Sequence, residues 1–304
     1  MIKPRIVLSR CFLKPVRYDG SVIHDEFVEK LKDFVEVVDL CPECDIGLGV
    51  PRSKIILVKN NNSKKLIQPD TDKDLTEQMF NYIDRTIKNL NQIDGFLLKS
   101  KSPSCAVGSA KLYFKGKVFG KTYGVFAEAS KTHFPYLPIE DEGTLKNNDV
   151  RFHFLTRIFA FAELKQIHKN ISISSLIDFH SRYKYLLMTY SQKSLKELGK
   201  IVADASININ EKFNRYSEIF YHALKKKPSR GRHVNSLMHI SGHLLEYLNY
   251  KEKREILDLI EKYKNNFIEL KVIIKLFRNM AYRSRNSYIL NQRYLNPFPD
   301  ELDL

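Results

Sequence analysis

Four cysteines, Cys11, Cys41, Cys44 and Cys105, all fall in the first 105 residues of this 304-residue chain, two of them as a C-x-x-C pair in VVDLCPECDIGLGVPR. Thiols in such a group serve as disulfides, as metal or cluster ligands, or as redox and nucleophilic centres. Disulfide frameworks belong to small secreted domains, so a chain of this size points to metal or catalytic use. Structural zinc usually takes two close pairs, whereas Cys11 and Cys105 stand singly. A redox C-x-x-C leaves those two without a role. On pattern alone, iron–sulfur, zinc, a redox pair and inert buried thiols all stay open.

A second set of chemically able residues lies far downstream. LKKKPSRGRH, residues 224–233, carries Lys225, Lys226, Lys227, Arg230 and Arg232 with no intervening acid. Such a stretch can contact several phosphates, while Pro228 and Gly231 let backbone approach backbone. Tyr216, Tyr221 and Tyr247 offer rings for base stacking, although helical spacing reads first as core. His239 and His243 form an i, i+4 pair of the kind that binds zinc on a helix face. No third ligand stands at a useful spacing, so packing or RNA contact is the expected use.

The elements that must position the thiols alternate. PRIVLSRC and VEVVDLC read as short strands around an amphipathic helix in SVIHDEFVEKLKDF. SKIILVKN reads as a further strand, NNNSKK as a solvated turn, and DKDLTEQMFNYIDRTIKNLNQ as a long helix starting near Asp72 or Asp74. It leads into the strand DGFLLKS. Strands alternating with helices predict an α/β, Rossmann-like, mainly parallel sheet. In such a sheet the loops beyond the carboxyl ends of the strands share one crevice. Cys11, Cys41 and Cys105 all follow strand ends, so three thiols distant in sequence are expected at one place.

From about residue 150 the strand signals stop, and serine-capped periodic runs predict an all-α second part. Helices are expected over 210–226, 233–248, 250–266 and 268–280, with the tail NPFPDELDL stopped by its prolines. The domains are placed at 1–165 and 166–304. The net charge of +15 is unequally shared. Residues 1–180 hold 27 Lys and Arg against 22 Asp and Glu, and residues 181–304 hold 23 against 13. The shorter part thus carries twice the excess, as expected of a nucleic-acid partner. Hydrophobic residues at 43% and charged residues at 28% suit a globular protein. With no membrane-length apolar run and no apolar leader, the expected location is the cytoplasm.

SRCFLKPVRYDG, LCPECDIGLGVPR and LLKSKSPSC resemble, in order and separation, the signature segments of the thiouracil desulfidase domain, formerly DUF523. FGKTYGVFAEA, EDEGTL and RFHFLTRIFA continue the likeness. LLMTYSQKSLKELGKIVA, RHVNSLMHISGH and LNQRYLNPFPDEL resemble the DUF1722 domain fused to it in longer members. The resemblance implies an iron–sulfur-dependent desulfidase that converts 4-thiouridine in tRNA to uridine, with no membrane and no obligate protein partner. It implies a four-iron four-sulfur cluster held by three cysteines, Cys11, Cys41 and Cys105, with one iron open. A thiocarbonyl sulfur is soft and binds iron readily, which polarises the carbon–sulfur bond for water.

Cys44 departs from the family, which commonly has an aliphatic residue there, and is expected to point away from the cluster. Glu43 and Ser102 match the family's acid/base positions, with Ser104 as a competitor for the serine role. Read as residues, Glu43 is a loop carboxylate paired with Arg52, and Ser102 a turn cap before Pro103. Arg17 and Tyr18 are the expected contacts to the substrate, with Lys99 and Lys101 close by. A desulfidase of free 2-thiouracil is one alternative, and a non-catalytic, zinc-stabilised RNA-binding adaptor another.

Overall fold

A computed structural model describes residues 2–61, 63–244, 246 and 248–302. Tyr247 and the end of the tail NPFPDELDL lie outside the described residues. The chain forms two compact units, Met1–Ala162 with the C-terminal residues from Glu301, and Glu163–Asp300.

The first unit contains a four-stranded sheet in the order β2-β1-β6-β9, built from β1 (Arg5–Ser9), β2 (Glu36–Leu40), β6 (Gly95–Leu98) and β9 (Ile139–Asp141). Every neighbouring pair in it is parallel, with Ile6 opposite both Val37 and Gly95. Ile6, Val7 and Leu8 of β1 and the whole of β6 are buried, as expected of strands covered on both faces. The cover includes α1 (Glu26–Leu31), α3 (Thr76–Asn89) and α4 (Val125–His133). Asp25 caps α1 by accepting from the Val28 amide, and α3 buries Met79, Tyr82, Ile83 and Ile87 along one stripe.

A second, five-stranded sheet runs β5-β4-β3-β7-β8 through β3 (Ile56–Asn60), β4 (Ser63–Gln68), β5 (Lys73–Asp74), β7 (Ala110–Phe114) and β8 (Lys117–Thr122). Here the expectations need correction. Ser63–Lys65 of the supposed turn NNNSKK pair with Lys59 and its neighbours as part of a strand. Lys73–Asp74 also form a strand, and the helix begins only at Thr76, whose amide donates to Asp74 Oδ1 at 3.0 Å. β7 and β8 lie outside the expected strands, their apolar residues being interrupted by Lys111, Lys117 and Lys121. They form a hairpin closed by Lys115 and Gly116, both at positive φ, the backbone of a tight primed turn.

The second unit is helical: the end of α5 (Asn148–His168), then α6 (Ile173–Tyr190), α7 (Gln192–Ala203), α8 (Ile209–Ala223), α9 (Arg230–Leu244), α10 (Tyr250–Lys264), α11 (Leu270–Arg283) and the short α12 (Ser287–Leu290). The division between units falls inside α5. Ser172 and Ser191 cap α6 and α7 by accepting from Ser175 and Ser194. Phe179, Tyr183, Tyr216 and Phe220 form an aromatic core in which Tyr216 is fully buried. Beneath it the Glu163 carboxylate accepts from Arg182, from Tyr183 Oη at 2.7 Å and from Arg293 Nε at 2.7 Å. Burial disfavours that carboxylate, yet the two guanidiniums outweigh it and hold Glu163 below its usual range. Among the described residues no helix is long and apolar enough to cross a membrane.

Candidate functional site

Parallel pairing brings the carboxyl ends of β1, β2 and β6 to one edge, and the thiols follow them. Cys11 sits in the single 3-10 turn Arg10–Phe12 after β1. Cys41 follows β2 at the start of α2 (Pro42–Asp45), so CPEC is a helical turn rather than a loop, favoured by Pro42 at its first position. Cys105 lies in the loop after β6. All three line one cavity of about 700 Å³, together with Glu43, Ser102, Arg17, Tyr18, Lys99 and Lys101. Cys44 does not line the cavity: its Sγ lies 3.7 Å from the Val16 carbonyl and 3.6 Å from Arg52 Nη1, and its side chain also interacts with the Cys41 thiol.

Burial pushes the Cys11 thiol up to about 12, against the pull of Lys99. It does the same to Cys41, also to about 12, while the Cys44 main-chain amide works the other way. Burial drives Cys105 well above its ordinary value although Ser9 hydrogen bonds to it. Thiols so placed keep their protons at neutral pH until a cationic centre displaces them.

Glu43 stands between an arginine and two serines. Arg52 donates to its Oε2 from Nη2 at 2.7 Å and Nε at 3.1 Å. Ser104 Oγ and Ser102 Oγ donate to Oε1 at 3.0 and 3.3 Å. Burial works against the Arg52 charge, but Glu43 overcomes it and the arginine pKa rises. Ser102 Oγ also accepts from the Ser104 and Cys105 amides, both at 3.1 Å, so it caps the turn that carries Cys105. The structural roles read from sequence, pairing with Arg52 and capping a turn, are therefore both present. Ser102 reaches the cavity, whereas Ser104 is fully buried behind it.

Three supports hold this edge. Asp45 accepts from Arg10 at 2.6 Å, from Tyr82 Oη at 2.8 Å and from the Cys41 amide at 3.3 Å, while Arg10 also reaches Asp39 at 2.9 Å. Glu142 accepts from the Ser100 amide at 2.7 Å and from Lys99, and the Lys99 amide donates to Ser9 Oγ at 3.0 Å. The amides that open α4 supply the third. Val125 donates to Pro103 O at 3.0 Å and Phe126 to Ser104 O at 2.9 Å, so loop carbonyls satisfy the donors a helix start leaves free. Arg10, Asp45 and Glu142 lie in segments that carry the family resemblance, but nothing in the sequence marks their roles, and Tyr82 lies in none of those segments.

Arg17 and Tyr18 share one wall, the Arg17 guanidinium 5.0 Å and Lys54 Nζ 5.5 Å from the centre of the Tyr18 ring. Arg17 also donates to Ser21 Oγ at 3.2 Å and pairs with Asp19 at 2.9 Å. In the helical unit, Lys225, Lys226 and Lys227 are exposed between α8 and α9. Arg230 and Arg232 lie inside α9 and spend Nη1 donors on main-chain carbonyls: Arg230 on Tyr263 at 2.6 Å, and Arg232 on Tyr190. Arg230 also stacks on the Tyr263 ring at 4.2 Å. These two arginines fasten helices, which the run of basic letters does not convey. His243 Nε2 meets Tyr185 Oη at 2.8 Å.

The family model described as 2-thiouracil desulfurase matches residues 6–142, and the one described as protein of unknown function DUF1722 matches residues 184–299. YbgA, an uncharacterized protein of Escherichia coli strain K12, is 28% identical over 155 residues, 49% of this chain and 90% of that protein. The solved structure of the 4Fe-4S-dependent thiouracil desulfidase TudS (DUF523Vcz) is 25% identical, covers 47% of this chain and 94% of its own, and superposes with a TM-score of 0.39.

Proposed function

Because the chain joins a domain of the 2-thiouracil desulfurase family to a DUF1722 domain, we propose that it removes sulfur from 4-thiouridine in tRNA, returning uridine, with a four-iron four-sulfur cluster held by Cys11, Cys41 and Cys105. The observation that carries this reading is the arrival of three thiols from three strand ends in one cavity with Glu43 and Ser102. Among the described residues no three or more His, Cys, Asp or Glu side chains are placed to share a single metal ion. Three thiols lining one cavity are a ligand set that a polynuclear iron–sulfur cluster uses. When bound, such a cluster supplies a soft, Lewis-acidic iron for a thiocarbonyl sulfur.

The net reaction is a hydrolysis: water's oxygen forms the new carbon–oxygen bond, the carbon–sulfur bond breaks, and sulfur leaves as hydrogen sulfide with no change in redox state. Glu43 takes the water's proton. Arg52 holds one carboxylate oxygen, Oε2, and so aims Oε1 at the serine side of the site. Ser102, on the cavity wall and hydrogen bonded to that oxygen, passes a proton between Glu43 and the substrate. Arg17 and Tyr18 seat the pyrimidine from the cavity wall. Lys225, Lys226 and Lys227 bind tRNA phosphates, framed by Arg230 and Arg232 from α9.

The test is anaerobic purification with iron and sulfide analysis, then assay on 4-thiouridine-containing tRNA and on free 2-thiouracil. The expected protein is coloured, holds about four irons per chain for one four-iron cluster, and releases sulfide from the tRNA. Reversing Lys225, Lys226 and Lys227 to Glu weakens tRNA binding in a salt-dependent way. Activity on the free base alone, indifferent to that reversal, would sink the tRNA substrate. A colourless protein with stoichiometric zinc would sink the enzyme.

A further inference from the structure

The second sheet supplies the other wall of the cavity, and its lysines have no work in the chemistry above. Ile56 of β3, Lys111 and Tyr113 of β7 and Lys121 of β8 all line the cavity. Lys111 and Lys121 are register partners, directly opposite across the hairpin. Like charges so placed repel and destabilise a sheet. Among the described residues no carboxylate pairs with either. Residues 53–69 and 106–127, which make up most of this sheet, contain eight lysines and no Asp or Glu. Two of the eight, Lys64 and Lys65, are neutralised by Glu128 and Asp74. Of the others, Lys54, Lys111 and Lys121 line the cavity.

The far end of the same hairpin exposes aromatic rings. Phe114 and Phe119 are 40% and 60% accessible and meet edge to face at 6.0 Å. The register shift between Leu112 and Tyr113 leaves Phe119 as an extra residue on β8. Lys59 Nζ lies 4.5 Å from the Phe119 ring and 5.8 Å from the Phe114 ring. Lys115 Nζ also lies over the Phe114 ring at 5.5 Å. Lysines held over exposed rings, with no carboxylate partner among the described residues, suit a single-stranded polynucleotide, whose phosphates draw the ammonium groups off the rings and whose bases take the ring faces.

We propose that the β7–β8 hairpin is a backbone grip for RNA: Lys111 and Lys121 hold the phosphate next to a nucleotide whose base has entered the cavity, and Phe114 and Phe119 stack neighbouring unpaired bases. The proposal deepens the tRNA reading and rests on it. It explains an otherwise costly lysine pair, because the missing counter-charge arrives with the substrate. RNA is favoured over an anionic membrane because the lysine pair faces the same cavity that receives the base.

The test uses the full chain and fluorescence anisotropy with a labelled single-stranded uridine oligonucleotide and a tRNA transcript, each titrated with KCl. Lys111→Gln with Lys121→Gln raises Kd on the order of tenfold and lowers the salt slope by about 1.4 for two lost contacts to a single strand. Phe114→Ala with Phe119→Ala raises Kd and leaves the salt slope as it was. The lysine variant melts no lower than the parent, since a repulsion has been removed, whereas a structural role for the pair predicts a lower melting temperature. Unchanged Kd and slope in the lysine variant, with the parent active on thiolated tRNA, overturn the grip and leave the tRNA reading standing. Binding to phosphatidylserine vesicles that depends on these lysines, without a matching loss of RNA binding, overturns it too. Hairpin-dependent RNA binding in a protein active only on the free base supports the grip and overturns the tRNA reading.

Discussion

Gly124→Ala should disable the site from outside it. A Cβ on Gly124 would fall 2.4 Å from the Ser104 carbonyl carbon, 2.5 Å from its oxygen and 2.7 Å from the Cys105 nitrogen. Carbon atoms in contact sit about 3.5–4.0 Å apart, so the Cys105 loop and the start of α4 must separate by about 1 Å. The obstruction is main chain, and no rotamer change relieves it. Gly124 has φ −63° and ψ 151°, which alanine adopts freely, so the cost is steric and not conformational. The movement works against four main-chain bonds: Gly124 to Ala106 at 2.8 Å, Val125 to Pro103 at 3.0 Å, and Phe126 and Ala127 to Ser104 at 2.9 and 3.2 Å. Overpacking of this kind costs about 1–3 kcal/mol of stability. A displacement of about 1 Å at a reacting group costs on the order of 100-fold in rate. The assay pairs thermal melting with iron content and kcat/KM on thiolated tRNA. Gly242→Ala is the control, because a Cβ there meets nothing within 4 Å. A Gly124→Ala protein with parental iron content and turnover would refute the claim that α4 fixes Cys105.

Other substitutions separate roles that now overlap. Ser102→Ala should lower kcat on the order of 100-fold as a lost proton-transfer group, while Ser104→Ala, buried behind it, lowers thermal stability more than turnover; equal kinetic losses would remove Ser102 from the chemistry. Cys44→Ala should keep parental iron and sulfide content, because its sulfur is engaged by Val16 and Arg52; loss of iron would make Cys44 a ligand. Glu163→Gln leaves Arg293 without its carboxylate and Arg182 with Asp178 alone, and should cost about 3 kcal/mol, the low end for a broken buried pair, read by denaturant unfolding. The Glu163 pKa is depressed in the fold, so its contribution is present above the unfolded value of 4.5 and is lost as pH falls through the folded one. The parent should therefore lose stability below about pH 4.5 more steeply than the Gln variant.

The strands that place the thiols were legible because IVLS and GFLL are apolar runs of strand length and VEVVDL is rich in valine, and parallel pairing then fixes which end each cysteine occupies. The long apolar stripe of α3 was legible for the same reason, although its start was read too early by the residues that form β5. The second sheet was not legible. AKLYF and KVFGKT place charge where a buried strand would place valine, since one face of the hairpin meets the cavity and its tip meets solvent. A signal did exist in the two-residue Lys-Gly connection between those segments, which favours a hairpin. The basic run at 224–233 misled in a different way. Its letters are uniform, but three side chains stand exposed and two guanidiniums tie helix ends, a difference set by contacts with Tyr190 and Tyr263 far away in sequence.

The cysteines hang from one hydrogen-bonded ladder and the lysines from another, so either set can change without breaking the ladder of the other. A hairpin closed by Lys115 and Gly116 can be shortened, lengthened or stripped of charge without breaking a bond in the ladder of β1, β2 and β6. On the function and grip proposed above, editing residues 110–122 would shift the preference between a free base and a polymer while leaving the strands that carry the cysteines untouched.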